Sequence, residues 1–230
     1  NYAISYKFGL LTLNPRPLTI RTPSQKWLYD GEEHYLAEFE HIGGELLEGH
    51  AFADPSEVNM KPATLTLAGE KENRFGELII LDENLKNVAS NYKITQMCGN
   101  LIVTPRPICV RTDSATKVFD NTYLEATGAT ADESSPNPLV EGDVIKLKNS
   151  TRIRYVTDGI VYNQPGSAFD GVTITNKKGQ DVTSSYQVIG YTYGKLEITK
   201  CPITVITPSY TRYFDGSVLS KTRCEVVGAP

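Results

Sequence analysis

Apolar and polar residues alternate along most of this chain, which is the two-residue period of a β-strand. In residues 18–21, for example, Leu18 and Ile20 alternate with Thr19 and Arg21. No stretch of ten or more residues keeps the period of an amphipathic helix. The pattern therefore predicts an all-β fold in which helix is limited to short turns.

One succession of motifs occurs three times along the chain. It reads PRPLTIRTPSQKWLYDG at 15–31, PRPICVRTDSATKVFDN at 105–121 and KCPITVITPSYTRYFDG at 200–216. The copies begin 105 − 15 = 90 and 200 − 105 = 95 residues apart. Tyrosines that shortly precede a glycine recur with nearly the same period, at Tyr2, Tyr92 and Tyr186. Self-similarity at a nearly fixed period indicates tandem modules.

The repeat divides the 230 residues into two complete modules and two fragments, and each complete module is long enough to bury a core. Since the chain begins inside one repeat and ends inside another, we expect it to be a piece of a longer protein. The predicted parts are the closing hairpin of a preceding module at 1–14, complete modules at 15–104 and 105–199, and the start of a third at 200–230.

Two local features refine this division. Each module is predicted to close with a β-hairpin, and Gly99 and Gly194 supply the positive φ of its turn. Pro15-Arg16-Pro17 and Pro105-Arg106-Pro107 then join one module to the next without a flexible linker. Because proline fixes φ and restricts the preceding residue to extended conformations, these joints predict an elongated, semi-rigid array.

Charge and composition exclude several classes of partner. The net charge is −4, from 23 basic and 27 acidic residues, and no cluster of Lys and Arg indicates nucleic-acid binding. No apolar run reaches the length of a membrane span, so no membrane insertion is expected. The four cysteines form no C-x-x-C pair; a bridge between Cys201 and Cys224 stays open, because geometry decides it.

The ordered combination of an Asn-Tyr-x-Ile stretch, a Pro-Arg-Pro segment and a Tyr/Phe-Asp-Gly turn resembles the YDG and MBG-type repeats. These repeats occur in tandem in large bacterial surface proteins and adhesins. The resemblance implies extracellular, Ig-like β-sandwich or β-grasp-like modules at the bacterial cell surface, with no catalytic residues to carry over. The third copy departs from the pattern at Lys200-Cys201-Pro202, and the second copy has Asn121 where the others have glycine.

Candidate ligand-binding residues are few. His34 and His41 lie in an acidic segment, but their spacing fits no metal motif, so a polar loop and strand face is the simpler interpretation. Trp27 aligns with Lys117 and Arg212 and is therefore predicted to face solvent or a neighbour. Trp27, His34 and His41 are the residues we expect to contact a ligand, if the modules bind one.

Sequence signatures of catalysis are missing. The chain has no G-x-S-x-G elbow and no phosphate-binding loop, and the second module has no histidine. We expect neither an enzyme nor a bound metal or cofactor. Asp30, Asp120 and Asp215 recur in phase, either as a ligand-facing turn or as an Asx-turn, and recurrence favours the Asx-turn. Residues 127–137, small, polar and acidic, are predicted to be the most flexible loop.

Two hypotheses for the function follow. In the first, rigid modules in series form a stalk that holds a distal binding domain away from the cell, with neighbouring modules as the only partners. In the second, the modules themselves bind a host carbohydrate or a host protein through Trp27 and the histidine-bearing segment.

Overall fold

The structure, a computed structural model, describes residues 1–166, 171–228 and 230. The described residues form strands with only three short 3₁₀ turns, so the prediction of an all-β fold is confirmed. The chain separates into two compact units, Asn1–Arg106 and Pro107–Pro230. The finer division into modules of 15–104 and 105–199 stays a prediction; for brevity, residues 16–104 and 106–199 are called the first and second modules below.

The first unit carries its strands between residues 16 and 104. They are β1 (Arg16–Arg21), β2 (Gln25–Leu28), β3 (His34–Tyr35), β4 (Glu40–Gly43), β5 (Ala51–Phe52), β6 (Thr64–Leu65), β7 (Gly69–Glu72), β8 (Ile80–Leu81), β9 (Tyr92–Met97) and β10 (Asn100–Thr104), with a 3₁₀ turn at Ala89–Asn91. One sheet has the order β4-β1-β9 and another the order β2-β10-β7. Two further strand pairs are β3-β6 and β5-β8.

The second unit repeats this arrangement with one wider sheet. Its strands are β11 (Arg106–Thr112), β12 (Ala115–Val118), β13 (Leu124–Glu125), β14 (Gly128–Ala131), β15 (Val144–Leu147), β16 (Arg152–Ile153), β17 (Val161–Tyr162), β18 (Val172–Thr175), β19 (Tyr186–Thr192) and β20 (Lys195–Thr199), with 3₁₀ turns at Val156–Asp158 and Thr183–Ser185. The sheet orders are β18-β15-β14-β11-β19 and β12-β20-β17, and β13 pairs with β16.

Each module buries the apolar face of its first strands. Leu18 and Ile20 of β1 are almost fully buried, as are Ile108 and Val110 of β11. In the first module, Ile20 packs against a cluster that includes Phe75. The alternation seen in the sequence therefore marks the buried face correctly in both modules.

The predicted closing hairpins do not exist at 91–104 or 186–199. β9 and β10 follow one another in the chain but belong to different sheets, and so do β19 and β20. Gly99 and Gly194 lack a positive φ. A Cβ at Gly99 would lie 2.5 Å from the carbonyl of Pro23, and one at Gly194 would lie 2.4 Å from the carbonyl oxygen of Asp113. Glycine is required there because two backbones nearly touch, not because a hairpin turns.

The two chain ends carry little regular structure. Residues 1–15 contain no strand and are exposed, so the hairpin predicted at 1–14 is not formed. The reason is the pairing of the equivalent strands: β9 and β10 pair with β1, β2 and β7, never with each other. In the third copy, β21 (Thr204–Ile206) and β22 (Glu225–Val227) form an exposed antiparallel pair.

The prediction of a flexible loop at 127–137 is wrong for residues 128–131, and residues 132–137 form turns. β14 occupies its first part and pairs with β11 and β15 in the middle of the wide sheet. Asp132 follows this strand and is buried. Small residues here allow neighbouring strands to approach, since a Cβ at Gly128 would collide with the carboxylate of Asp113.

Candidate functional site

The first and last strands of each module lie side by side, and β1–β9, β2–β10 and β12–β20 run in the same direction. β1 pairs in parallel with β9 from Arg16↔Tyr92 to Arg21↔Met97. β2 continues with β10 from Gln25↔Leu101 to Leu28↔Thr104. In the second module β11 neighbours β19, and β12 runs parallel to β20. We call this paired set of first and last strands the terminal strand pair.

Parallel pairing places the two termini of a module at opposite ends of the terminal strand pair. Arg16 enters at the end marked by Tyr92, and Thr104 leaves at the end marked by Leu28. A force that pulls these termini apart acts along the strands and loads their inter-strand hydrogen bonds together. Bonds loaded together must break together, so this geometry resists force more than one in which bonds open one after another.

A buried network of hydrogen bonds connects the bend between β1 and β2 to the bend between β9 and β10, where the chain passes from one sheet to the other. Thr22 Oγ1 donates to the backbone oxygen of Asn73 at 2.6 Å and accepts the N–H of Gly99 at 3.0 Å. Asn73 Nδ2 donates to the carbonyl of Pro23 at 3.0 Å. Thr22 and Asn73 are both buried, so these bonds are shielded from water. We call these contacts the crossover network.

The second module builds the same network from equivalent residues. Thr112 Oγ1 donates to the backbone oxygen of Asn163 at 2.7 Å and accepts the N–H of Gly194 at 2.9 Å. Asn163 Nδ2 donates to the carbonyl of Asp113 at 2.8 Å. In both modules the asparagine Oδ1 is buried without a hydrogen-bond partner among the described residues. The repetition of even this unsatisfied atom shows that the two networks share one geometry.

Sequence reasoning missed this network although a signal for it is present. Thr-x-Ser occurs in each copy of the repeat, with Thr22, Thr112 and Thr207 as its first residue. The serine also contributes, because Ser24 Oγ accepts the N–H of Asn100 and Ser114 Oγ accepts that of Lys195, both at 2.9 Å. Threonine and serine that recur where one strand ends and the next begins mark positions at which side-chain hydroxyls bond backbone groups.

The recurring tyrosines make a second structural contact in each module. Tyr92 Oη accepts the N–H of Leu47 at 3.1 Å and lies 2.7 Å from His50 Nδ1. Tyr186 Oη accepts the N–H of Val140 at 3.0 Å and donates to Asp143 Oδ2 at 2.6 Å. Both tyrosines are largely buried, so each fixes a long loop to the last strands.

Two of the three predicted ligand residues lie together. The rings of Trp27 on β2 and His34 on β3 stack with centroids 4.8 Å apart. His34 Nε2 lies 2.9 Å from Asp30 Oδ1. One face of the indole is therefore covered by His34, and His34 is itself held by a carboxylate.

His41 is elsewhere. It lies on β4 in the other sheet, opposite Ile20. Its Nε2 is 2.9 Å from the carbonyl oxygen of Gly43, and its ring contacts Phe52 edge-on. His41 does not join Trp27 and His34 in one site.

The recurring aspartates form Asx-turns. Asp30, Asp120 and Asp215 each accept the N–H of the residue two positions on, from Glu32, Thr122 and Ser217. The turn residue that follows each aspartate has a left-handed backbone: Gly31 with φ 82°, Asn121 with φ 63° and Gly216 with φ 78°. Asparagine replaces glycine there because it tolerates this conformation.

The cation beside each aspartate differs between copies. Lys117 and Arg212, three residues before the aspartate, bond Asp120 at 2.7 Å and Asp215 at 3.2 Å. In the first copy Trp27 occupies that position, and His34 contacts the carboxylate of Asp30 instead. The hydrogen bond from Lys117, followed by those from Thr122, holds the pKa of Asp120 well below its ordinary value.

The pKa of Asp30 is also lowered. Burial raises it, but the N–H of Glu32 and the side chain of His34 lower it by more.

A charged pair on the wide sheet distinguishes the modules. Arg111 Nε bonds Asp132 Oδ2 at 2.9 Å, and the carboxylate is only 6% exposed. In the first module Arg21, which aligns with Arg111, has a different partner: Glu40, opposite it on β4, is 3.8 Å away and its carboxylate is 70% exposed. Hydrogen bonds from Ser134, together with the one from Arg111, hold the pKa of Asp132 well below its ordinary value.

Metal ligation and binding in a surface cleft are two further kinds of site to consider. Among residues 1–166, 171–228 and 230, no three His, Cys, Asp or Glu side chains are grouped as a metal site. A cleft of about 590 Å³ is lined by residues including Lys61 and Arg74, and one of about 650 Å³ by residues including Lys148 and Tyr186. Neither contains Trp27.

Cys201 and Cys224 are free thiols, not a disulfide. In the part of the chain that the structure describes, no helix has the length and apolar character needed to cross a membrane.

Comparison with protein-family models, curated proteins and solved structures found no match to this chain.

Proposed function

We propose that this chain is a non-enzymatic repeat segment of a bacterial surface protein and acts as a semi-rigid extracellular stalk or adhesin scaffold. Its modules are tandem Ig-like β-sandwiches whose task is to transmit load between a distal domain and the cell. The observation that carries the proposal is the terminal strand pair, in which β1 and β2 run parallel to β9 and β10.

The terminal strand pair supports a load-bearing role because of its direction. Force enters a module at its first strand and leaves at its last, and these two strands are hydrogen-bonded neighbours in each module. Resistance to force is a property of the unfolding rate, which depends on how many bonds must break in the rate-limiting step. A binding module has no need for this arrangement to recur.

The crossover network supports the same role. It joins the bend between β1 and β2 to the bend between β9 and β10, so the strands cannot slide past one another at the point where they change sheet. Only one residue, Pro105, separates β10 from β11, and proline limits the freedom of this joint. The bacterial surface location rests on the sequence resemblance alone.

The test is to pull the first module in two directions by single-molecule force spectroscopy on the full chain. Handles at Arg16 and Thr104 shear the terminal strand pair, whereas handles at Leu28 and Thr104 open it from one end, because these two residues are paired neighbours. We expect a clearly higher unfolding force for the first geometry. Equal forces in both geometries would remove the physical basis of the load-bearing role.

A further inference from the structure

An arginine on the second module is held between two exposed tyrosines. The guanidinium carbon of Arg154 lies 5.4 Å from the ring centre of Tyr123 and 5.6 Å from that of Tyr155. The two tyrosines are 60% and 48% exposed. Cation–π contact with two rings fixes the guanidinium at the surface instead of leaving it mobile.

Asn121 completes this arrangement. Arg154 Nε donates to the backbone oxygen of Asn121 and Nη2 donates to its Oδ1, both at 3.2 Å. The residue that replaces glycine in the Asp turn therefore keeps the left-handed backbone and adds a side chain that orients the arginine. We call Asn121, Tyr123, Arg154 and Tyr155 the arginine cluster.

The first module has none of these side chains at the equivalent positions. β3 pairs with β6 through His34↔Leu65, as β13 pairs with β16 through Leu124↔Ile153. This register and the repeat alignment place Gly31, Glu33, Thr66 and Leu67 where the second module has the arginine cluster. Since the first module forms the same strand pairs without the cluster, the fold does not require it.

The hydrogen bonds to Asn121 leave one edge of the guanidinium unused. Of the five N–H donors of arginine, Asn121 takes the two along the Nε–Nη2 edge. The terminal edge, with parallel N–H groups on Nη1 and Nη2, matches the two oxygens of a carboxylate.

The nearby carboxylates are engaged elsewhere. Within residues 1–166, 171–228 and 230, no carboxylate oxygen is recorded within 4.0 Å of the guanidinium nitrogens of Arg154. Asp158 Oδ2 accepts the backbone N–H groups of Arg154 and Tyr155. Glu125 pairs with Arg152 at 2.7 Å. The positive charge of Arg154 is therefore oriented, on a half-buried side chain, and without a carboxylate counter-ion among the described residues.

We infer that the arginine cluster is a binding site for a carboxylate-bearing sugar. The terminal edge of Arg154 holds the carboxylate by two charge-assisted hydrogen bonds. The tyrosine rings beside it supply rigid, partly apolar surface for the C–H groups of the pyranose, and their hydroxyls supply polar contacts. The same carboxylate chemistry is offered by hexuronic acids and by sialic acids.

The test is calorimetric titration of the full 230-residue chain with two carboxylated probes and their neutral analogues. One pair is a hyaluronan hexasaccharide and its carboxyl-reduced form, and the other is 3′-sialyllactose and lactose. Binding of a carboxylated probe without binding of its neutral analogue supports the site, and the pair that responds identifies the source. Binding of neither carboxylated probe at millimolar concentration overturns the proposal.

Variants copied from the first module keep the test independent of folding. Arg154→Thr and Tyr155→Leu introduce side chains of the type that Thr66 and Leu67 provide there, so the strands should form as before. Each should weaken binding at least about tenfold, as expected for losing a charge-assisted or aromatic contact. Arg152→Thr, which copies Thr64, removes the same charge two residues away and should leave affinity within about twofold. Equal loss in Arg152→Thr and Arg154→Thr indicates general charge attraction and overturns the assignment.

Discussion

The two modules hold their terminal strands together with the same atoms but present different side chains at their surfaces. The two hydrogen bonds of the Thr22 hydroxyl, to Asn73 and Gly99, recur at the Thr112 hydroxyl, to Asn163 and Gly194. Beside the Asp turn, by contrast, the first module places Trp27 against His34, and the second places Lys117 against Asp120.

This difference separates scaffold from surface. Contacts that both modules make are those without which the strands cannot pair, because they satisfy buried backbone groups. Contacts that one module makes alone are free to serve something else. The comparison thus supports our proposals that the crossover network belongs to the scaffold and that the arginine cluster serves binding.

The largest loss of stability is expected from adding a methyl group at Gly99 or Gly194, where two backbones nearly touch. Gly99→Ala and Gly194→Ala place a Cβ within 2.5 Å of backbone atoms that cannot move aside. Each should destabilise its own module by about 2–3 kcal/mol, as overpacking does. The fluorescence of Trp27, the single tryptophan, reports unfolding of the first module, and hydrogen exchange reports that of the second.

Gly9→Ala is the matched control, since nothing lies within 4 Å of a Cβ at Gly9. It should leave both modules unchanged. A loss at Gly99 without a similar loss at Gly194 would break the equivalence of the two crossings.

A somewhat smaller loss of stability, similar in the two modules, is expected from removing the hydroxyls of Thr22 and Thr112. Thr22→Val and Thr112→Val each leave a buried carbonyl without its side-chain donor and remove one hydrogen bond from a glycine N–H, although the N–H of Gly99 keeps its bond to the backbone oxygen of Thr22 at 3.0 Å. The expected cost is about 1–3 kcal/mol per module, the range for an unsatisfied buried group. Urea unfolding followed by the same two reporters measures it, and Thr204→Val on the exposed strand β21 should cost little.

Unequal effects on local stability are expected from removing Arg111, which pairs with Asp132, and Arg21, which pairs with Glu40. Arg111→Gln removes the partner of a shielded carboxylate, whereas Arg21→Gln removes the partner of an exposed one. Hydrogen exchange in residues 107–135 should accelerate several-fold in the first variant. The second should change little, because exposed ion pairs contribute little to stability. Equal acceleration in both modules would contradict the difference in burial.

The smallest effect on stability is expected from lowering the pH until Asp132 is protonated. The pKa of Asp132 in the folded chain lies below its ordinary value of 3.8, so the folded state favours the charged form. Its contribution to stability is fully present above about pH 4 and is lost as the pH falls through the lower, folded-state value. The stability difference between Asp132→Asn and the parent chain should therefore shrink below about pH 4. A difference that stays constant on acidification would show that Asp132 stabilises the module without its charge.

Much of this architecture could be predicted because it repeats or is local. Alternation predicts that Leu18 and Ile20 lie on one face of a strand, and both are almost fully buried. The Asx-turns at Asp30, Asp120 and Asp215 were predicted since their hydrogen bonds span only two residues.

The wrong predictions all concern partners distant in sequence. The hairpin at 91–104 was predicted from adjacency, but β9 pairs with β1, more than seventy residues away. Residues 127–137 were predicted to be a flexible loop from composition, yet small residues there line the middle of a sheet. Whether Trp27, His34 and His41 contact a ligand stays a prediction; of the three, Trp27 and His34 lie together and His41 lies in another sheet.

By itself, the sequence determined that the fold is all-β, that Leu18 and Ile20 share one buried face, and where the Asp turns lie. These follow from side-chain period and local hydrogen bonding, which act within a few residues. Only the tertiary structure decided that the first and last strands of a module are parallel neighbours, that glycine marks a crossing of backbones, and that Arg154 meets Tyr123. Each of these depends on contacts between residues some thirty to eighty positions apart, for which the order of side chains along one strand carries no information.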